Sequence, residues 1–327
     1  MRAWQVHEFG EPSDVLTLCT LDPPVPGRDE VTIDVSTVGL NFLDVMTCRG
    51  VYPVNPDLPF IPCVELAGTI RTCGENVDMS HGQRVVALQP LASGSLAETT
   101  VVPAQFVYPL ANDIADHLAA SLLVTYQTAY FALQKSNLQA GETLLVHAGA
   151  GGVGTASIQL GLLAGAKVFA TASNQVKLDV CREEGVALAI DYKNDDFVSE
   201  INQATDGRGA DVIFDQIGGA VFDQSLECLA TNGRIVPIGW ASGKEPQVSI
   251  VNIVAQNQTI IGHSWGSAYP VKKRGEVLNA HKQIQELCRT GKIKPRISTV
   301  GRFDEAPGLL QTIADGLSTG KIVIKLE

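Results

Sequence analysis

The sequence predicts an α/β chain in two parts: a β-rich segment, and a doubly wound parallel sheet of six strands with helices on both faces. Three observations carry that prediction. Short β-branched runs at 143–148, 167–172, 188–191, 211–215, 234–238 and 258–262 alternate with helical stretches. They return about every 20 to 25 residues, the rhythm of repeated βα crossovers in a parallel sheet. Before residue 120 a period of two dominates instead, as where Val31, Ile33 and Val35 alternate with polar residues in the manner of a half-buried strand. Finally, 327 residues accommodate about two domains of roughly 150 each.

The remaining elements follow in order. Pro53, Pro56, Pro59 and Pro62 mark a loop and not a sheet interior. Residues 82–87 read as a turn entering a strand. After residue 266 the sequence predicts a helix over 274–290, another near 305–317, and a closing strand over 321–325 that returns to the first part. The expected division is therefore 1–121 with 266–327 as one domain and 122–265 as the other. Six strands in this rhythm suit a dinucleotide-binding fold.

Composition excludes several classes. The chain is 45% hydrophobic and 18% charged, a globular balance and not a disordered one. Its 31 glycines and 16 prolines stay well below the low-complexity range of roughly a quarter of the chain. A net charge of −11 opposes broad nucleic-acid binding and docking on anionic lipid. The basic clusters Lys272-Lys273-Arg274 and Lys292, Lys294, Arg296 read as solvated faces. Neither uncharged stretch, 118–134 or 143–166, is a continuous apolar helix, so no membrane partner is expected. The opening Met1–Glu8 lacks the apolar run of a secretory leader. The 7 cysteines contain no C-x-x-C pair, which suits free thiols in a reducing cytoplasm.

Residues 149–154 read G-x-G-x-x-G, with Gly149, Gly151 and Gly154 at the fixed places and Gly152 and Val153 between them. The motif is weak alone, but here it follows an apolar strand and opens a helix, the context that gives it meaning. Gly149 is expected to permit the tight turn, Gly151 to let the backbone approach a pyrophosphate, and Gly154 to let helix and strand pack closely. The helix start then offers unpaired N–H groups and a positive dipole end to phosphate.

Gly141-Glu142-x-x-Leu145, the glycine loop and Gln159 together resemble the signature run of the quinone oxidoreductases, the ζ-crystallin-like branch of the medium-chain dehydrogenase/reductase superfamily. Leu162 departs from that run, where the family usually has a basic or small polar residue. The resemblance extends to residues 39–44, 62–68 and 125–130 and to the terminal Gly320-Lys321-Ile322-Val323. It implies a GroES-like catalytic domain joined to a Rossmann domain, a homodimer, and a reductase that uses a nicotinamide cofactor. Zinc-dependent relatives carry Cys where Asn41 stands and His where Val64 stands. An amide oxygen is a poor zinc ligand and valine is none, so no catalytic metal is expected. Without a Lewis acid, oxidising an alcohol is hard. An electron-poor quinone or enone asks only for modest hydrogen-bond donors.

Asn41 ends a strand and opens a loop. The resemblance places it beside the nicotinamide ribose and substrate; by itself it also reads as a loop-capping amide. Tyr52 reads either as a phenol donating to the reduced oxygen or as a packing aromatic. Asp44 and Glu65 are expected to hold loops, and His147 to be a satisfied buried imidazole. The resemblance makes Thr128 a nicotinamide-side contact. Gly239, Trp240, His263 and Trp265 fall at the carboxyl ends of the fifth and sixth strands, the edge where open α/β sheets bind ligands; Lys321 joins them as a cofactor contact. Trp265 reads equally as a substrate-pocket wall or as interface packing.

The expected cofactor is NADPH. NAD-selective folds carry an acid about 20 residues past the glycines, and none occurs here from Thr155 until Asp179. Ser173, Lys177 and Tyr192 stand at the ends of strands two and three, where the resemblance places the 2′-phosphate. Lys177 alone also reads as a solvated helix lysine. The expected activity is zinc-independent reduction of quinones or α,β-unsaturated carbonyl compounds. The rivals are an enoyl-thioester reductase of the same superfamily and a cofactor-binding protein with a structural or RNA-binding role. The sixth strand, near 258–265, is expected at a sheet edge where a second copy pairs with it.

Overall fold

The computed structural model describes residues 1–91 and 93–326. The chain divides into two compact units, Met1–Val124 with Ala268–Glu327, and Thr125–Ser267; the division expected from the sequence puts both joins a few residues earlier.

In the first unit, β1 (Arg2–Val6) and β2 (Leu16–Thr20) form an antiparallel hairpin. The larger sheet is built from β3 (Glu30–Leu40), β4 (Glu65–Cys73), β5 (Arg84–Leu88), β6 (Thr99–Pro103) and β7 (Val107–Pro109). In β3, Val31, Ile33 and Val35 are buried and Asp34 and Ser36 half-buried, as the alternation in the sequence suggests, but Thr32 is buried as well, so the alternation holds only from Ile33 to Thr37. Its inner residues join Leu66, Ile70, Val85 and Val102 in one apolar core. This is the GroES-like sheet.

The second unit holds the parallel sheet. Its strands are β8 (Thr143–Val146), β9 (Lys167–Ala172), β10 (Leu188–Asp191), β11 (Ala210–Asp215), β12 (Leu229–Pro237) and β13 (Thr259–Ile260). Their spatial order is β10-β9-β8-β11-β12-β13, the doubly wound Rossmann order with its switch point at β8. Successive side chains feed opposite layers. Leu144, Val146, Val168 and Phe214 pack into one helical layer and Leu145, Phe169, Ile213 and Ile235 into the other. Burial on both faces is why these strands read as unbroken apolar runs and not as alternations.

The sixth strand is shorter than the sequence suggests. Only Thr259 and Ile260 pair, both with β12, and Ile261 N–H adds one bond to Ile235 O at 2.9 Å. A strand with one neighbour has nothing on its other side to hold it extended. The terminal part of the chain supplies β14 (Ile297–Arg302) and β15 (Lys321–Lys325). β15 lies between β14 and β3 in the first unit's sheet, so the closing strand returns where the sequence places it. No helix among the described residues is long and apolar enough to cross a membrane.

Candidate active site

The nucleotide-binding loop lies between β8 and the helix Gly152–Leu163, with Gly151 at the helix N-cap. Its glycines divide their labour differently from the sequence expectation. The left-handed turn residue is Ala148, at φ 50°, so Gly149 is not the residue that makes the turn. A side chain at Gly149 would meet Ala170 Cβ at 2.7 Å and Cys181 Sγ at 3.0 Å. It is glycine because β9 and the helix Gln175–Glu183 pack against it. At Gly154 a Cβ would lie 2.3 Å from the Ala148 carbonyl oxygen, so that position lets the helix pack closely on the turn and not, as expected, on the strand. Gly151, Gly152 and Val153 are only half-buried. Their side of the loop presents the first N–H groups of the helix, which have no partner within it, to any bound pyrophosphate.

His147, the residue before this loop, is fully buried. Its Nδ1 lies 2.9 Å from Thr171 Oγ1 and its Nε2 2.8 Å from Ser225 Oγ. Burial pushes its pKa down to about 3; it is a neutral, satisfied core histidine, as expected. Beside it, Gln216 Nε2 donates to His147 O at 2.9 Å.

At the end of β11 stands a residue that the sequence reading passed over. Asp215 is fully buried and accepts from the N–H groups of Ile217 at 2.8 Å and Gly218 at 3.1 Å. Burial pushes its carboxyl pKa up, against the pull of those N–H groups. It fixes the turn at the strand's carboxyl end, opposite Gly239, whose N–H points to Asp215 O at 3.4 Å. An acid closing an apolar run just before two glycines was the available signal. Trp240 follows and is 40% exposed. His263 Nε2 donates to Thr128 O at 3.0 Å, and burial lowers its pKa to about 4. Thr128 is half-buried near the start of the helix Gln127–Ser136. Trp265 is buried, its Nε1–H donating to Gln127 Oε1 at 3.2 Å. Of the aromatics expected at this edge, only Trp240 presents an open face.

Ser173, Lys177 and Tyr192 come together at the next two strand ends. β9 and β10 run in register, Ala172 opposite Asp191, and Tyr192 N–H donates to Ala172 O at 3.2 Å. Asn174 caps the following helix by accepting from Lys177 N–H at 3.0 Å. All three predicted side chains are half-buried, and no acid stands at the end of β9.

The first unit holds the other cluster. Asn41 N-caps the helix Phe42–Cys48 and its amide is held on both sides. Nδ2 donates to Gly39 O at 3.0 Å and to Glu65 Oε2 at 3.3 Å, and Oδ1 accepts from Lys321 Nζ at 2.5 Å. Glu65 is fully buried. It pairs with Lys321 at 2.7 Å and accepts from the N–H groups of Leu123 and Val124 at 2.9 and 3.0 Å. Lys321, expected as a cofactor contact, thus has its ammonium bound to two residues of its own unit. Asp44 reaches back to accept from Asn41 N–H at 2.7 Å with Oδ2, and its buried Oδ1 has no partner. Tyr52 is half-buried; desolvation, then the charge of Asp44, raise its phenol pKa, so it is a protonated donor at neutral pH.

This cluster does not fit zinc. Val64 offers no donor atom, and the Lys321 ammonium already takes up Asn41 Oδ1 and Glu65 Oε2. Burial pushes the Cys63 thiol well above its ordinary pKa, the opposite of what a thiolate ligand requires. Among the described residues no group of three or more His, Cys, Asp or Glu is arranged to hold a metal.

Burial raises the Asp44 pKa to about 7. Between about pH 4 and 7 the folded chain keeps a proton that the unfolded chain has released, so this carboxyl's contribution to stability falls as pH rises through that window. Asp44→Asn removes the titration. The stability of the variant relative to the parent should rise from pH 4 to 7, by as much as about 1.4 kcal/mol per pH unit, and level off above. Urea unfolding across that range checks this; a difference that stays constant with pH would refute the burial argument.

Two family descriptions match the chain: an alcohol dehydrogenase GroES-like domain over residues 27–112 and a zinc-binding dehydrogenase over 152–286. A quinone oxidoreductase-like protein 2 homolog of Nematostella vectensis is 36% identical over 330 residues, spanning 100% of this chain and 89% of that protein. Among solved structures, a quinone oxidoreductase of Pseudomonas syringae is 27% identical at TM-score 0.91, covering 99% of each chain. Escherichia coli quinone oxidoreductase complexed with NADPH is 25% identical at TM-score 0.92, covering 99% of this chain and 100% of that one. With a GroES-like sheet, a Rossmann sheet, and a quinone oxidoreductase-like relative 36% identical over the whole of it, the chain belongs to the zinc-independent quinone oxidoreductase-like family of medium-chain dehydrogenases/reductases.

Proposed function

We propose that the protein is an NADPH-dependent reductase of quinones or α,β-unsaturated carbonyl compounds. The observation that carries the reading is the Lys321–Glu65–Asn41 cluster, in which no donor set remains for a Lewis acid. The acceptor must then arrive already activated, as a quinone or enone does. Its oxygen takes up the negative charge when hydride from nicotinamide C4 adds, so modest hydrogen-bond donors suffice. In this reading Tyr52 donates to that oxygen, Asn41, whose two amide hydrogens go to Gly39 O and Glu65 Oε2, helps to orient the acceptor, and solvent supplies the final proton. NADPH bound to the Escherichia coli relative supports the cofactor, as do Ser173, Lys177 and Tyr192 near two adjacent strand ends, with no acid at the end of β9 where NAD-selective folds carry one. Gly149 to Gly154 and the helix they open are assigned to the pyrophosphate.

The loop 50–62 favours a neutral acceptor. It carries Val51, Val54 and Leu58 exposed around Tyr52, and the one basic residue of the stretch 49–62, Arg49, is paired with Glu11 at 2.8 Å, so it offers little to the phosphates of coenzyme A or a carrier protein. An acceptor panel of quinones, enones and enoyl-CoA, read by loss of nicotinamide absorbance, tests this. Turnover confined to the quinones and enones is expected; preference for enoyl-CoA would favour the thioester reductase instead.

The assembly proposed is a homodimer. β13 lies at the sheet edge with one side unpaired, and the helix Ile250–Ala255 that precedes it exposes Ile250, Val251 and Val254 by 69%, 76% and 67%. Apolar groups beside an open strand edge invite an isologous contact. Light scattering at micromolar concentration should give a dimer, and Val251→Glu with Val254→Glu should give a monomer. A parent protein that is already monomeric would contradict the assignment.

A further inference from the structure

We propose that Lys193 is a second cationic determinant of cofactor choice, one that shares the 2′-phosphate with Lys177. The inference rests on the NADPH reading above and adds to it a residue outside the trio that the sequence points to.

Charge and strand geometry both favour it. A phosphate monoester carries about −1.5 to −2 at neutral pH, more than one lysine neutralises. Ser173 and Tyr192 follow paired strand residues, Ala172 and Asp191, and parallel neighbours lie about 4.8 Å apart. Lys193 is the next residue after Tyr192 and leaves the sheet at the same end. Its backbone is fixed: Lys193 N–H donates to Asp191 Oδ1 at 3.0 Å, while Asn194 Nδ2 occupies Asp191 Oδ2 at 2.9 Å. The Asp191 carboxylate is thereby bound into the turn, and that of Asp196 caps the helix Phe197–Ala204 through the N–H groups of Val198 and Ser199. Both keep their charge, as does exposed Asp195, but among the described contacts no ion pair ties Lys193 to any of the three. The Lys193 side chain is exposed and lies near enough to Lys177 that the two ammonium groups repel. Burial first, and Lys193 second, hold the Lys177 pKa below its ordinary value. Two cations that disfavour each other at the ends of adjacent strands, flanked by a hydroxyl and a phenol, are relieved by a dianion and gain nothing from a ribose hydroxyl.

The test is titration of NADPH and NADH, followed by nicotinamide fluorescence, into the parent, Lys177→Ala and Lys193→Ala. The Asp191 bond to residue 193 uses the backbone, so the alanine variant keeps its turn; circular dichroism confirms the fold. Lys193→Ala should weaken NADPH roughly five- to tenfold and leave NADH within about twofold, with Lys193→Arg restoring most of the NADPH affinity. If Lys177→Ala is NADPH-selective but Lys193→Ala affects neither cofactor, or both equally, the role of Lys193 is overturned while the phosphate site stands. If neither variant discriminates, the phosphate site itself is misassigned.

Discussion

Lys321→Ala is expected to destabilise the β-rich unit by about 3–5 kcal/mol, the cost of leaving one member of a buried ion pair without the other. Lys321 is 4% exposed and Glu65 fully buried. Removing the ammonium strands the carboxylate beside Asn41 Oδ1, with only the N–H groups of Leu123 and Val124 and one amide to hold it. The same pair is nearly neutral relative to an apolar replacement of equal volume. Lys321→Met with Glu65→Gln should therefore recover most of the loss, a coupling that double-variant analysis measures. Urea-unfolding midpoints decide it. A single-variant effect within about 0.5 kcal/mol, the range of surface changes, would mean that this pair is solvated.

Lys177→Ala should lower affinity for NADPH about ten- to hundredfold relative to NADH. A hydrogen bond to a charged group contributes roughly 1.5–3 kcal/mol, and about 1.4 kcal/mol is tenfold in binding. NADH lacks the phosphate and should lose little. Competitive titration of the two cofactors provides the measurement, and equal losses for both would remove Lys177 from the phosphate site.

The parallel sheet was legible because its strands are buried on both faces: the runs at 167–172 and 188–191 coincide with β9 and β10. β13 was less so, since an edge strand's length depends on its single neighbour and not on its own apolar run. The glycine loop was recognisable as a motif, but the positive φ fell on Ala148, because spacing does not distinguish a residue that turns from one that must be small. Asn41 was visible as a candidate, whereas the ion pair that holds it joins Glu65 to Lys321 from opposite ends of the chain, and no local pattern couples them. Lys193 was missed for a related reason. It becomes Lys177's neighbour only once β9 and β10 are paired in register.

The central claim, zinc-independent hydride transfer from NADPH to an activated acceptor, is tested most directly by chelator-treated protein given NADPH and a simple quinone. NADPH should be oxidised at the rate of untreated protein, added zinc should change nothing, and elemental analysis should find no stoichiometric zinc. Turnover that disappears with chelation and returns with zinc would contradict the account, as would a protein that binds NADPH yet passes no hydride to any quinone or enone.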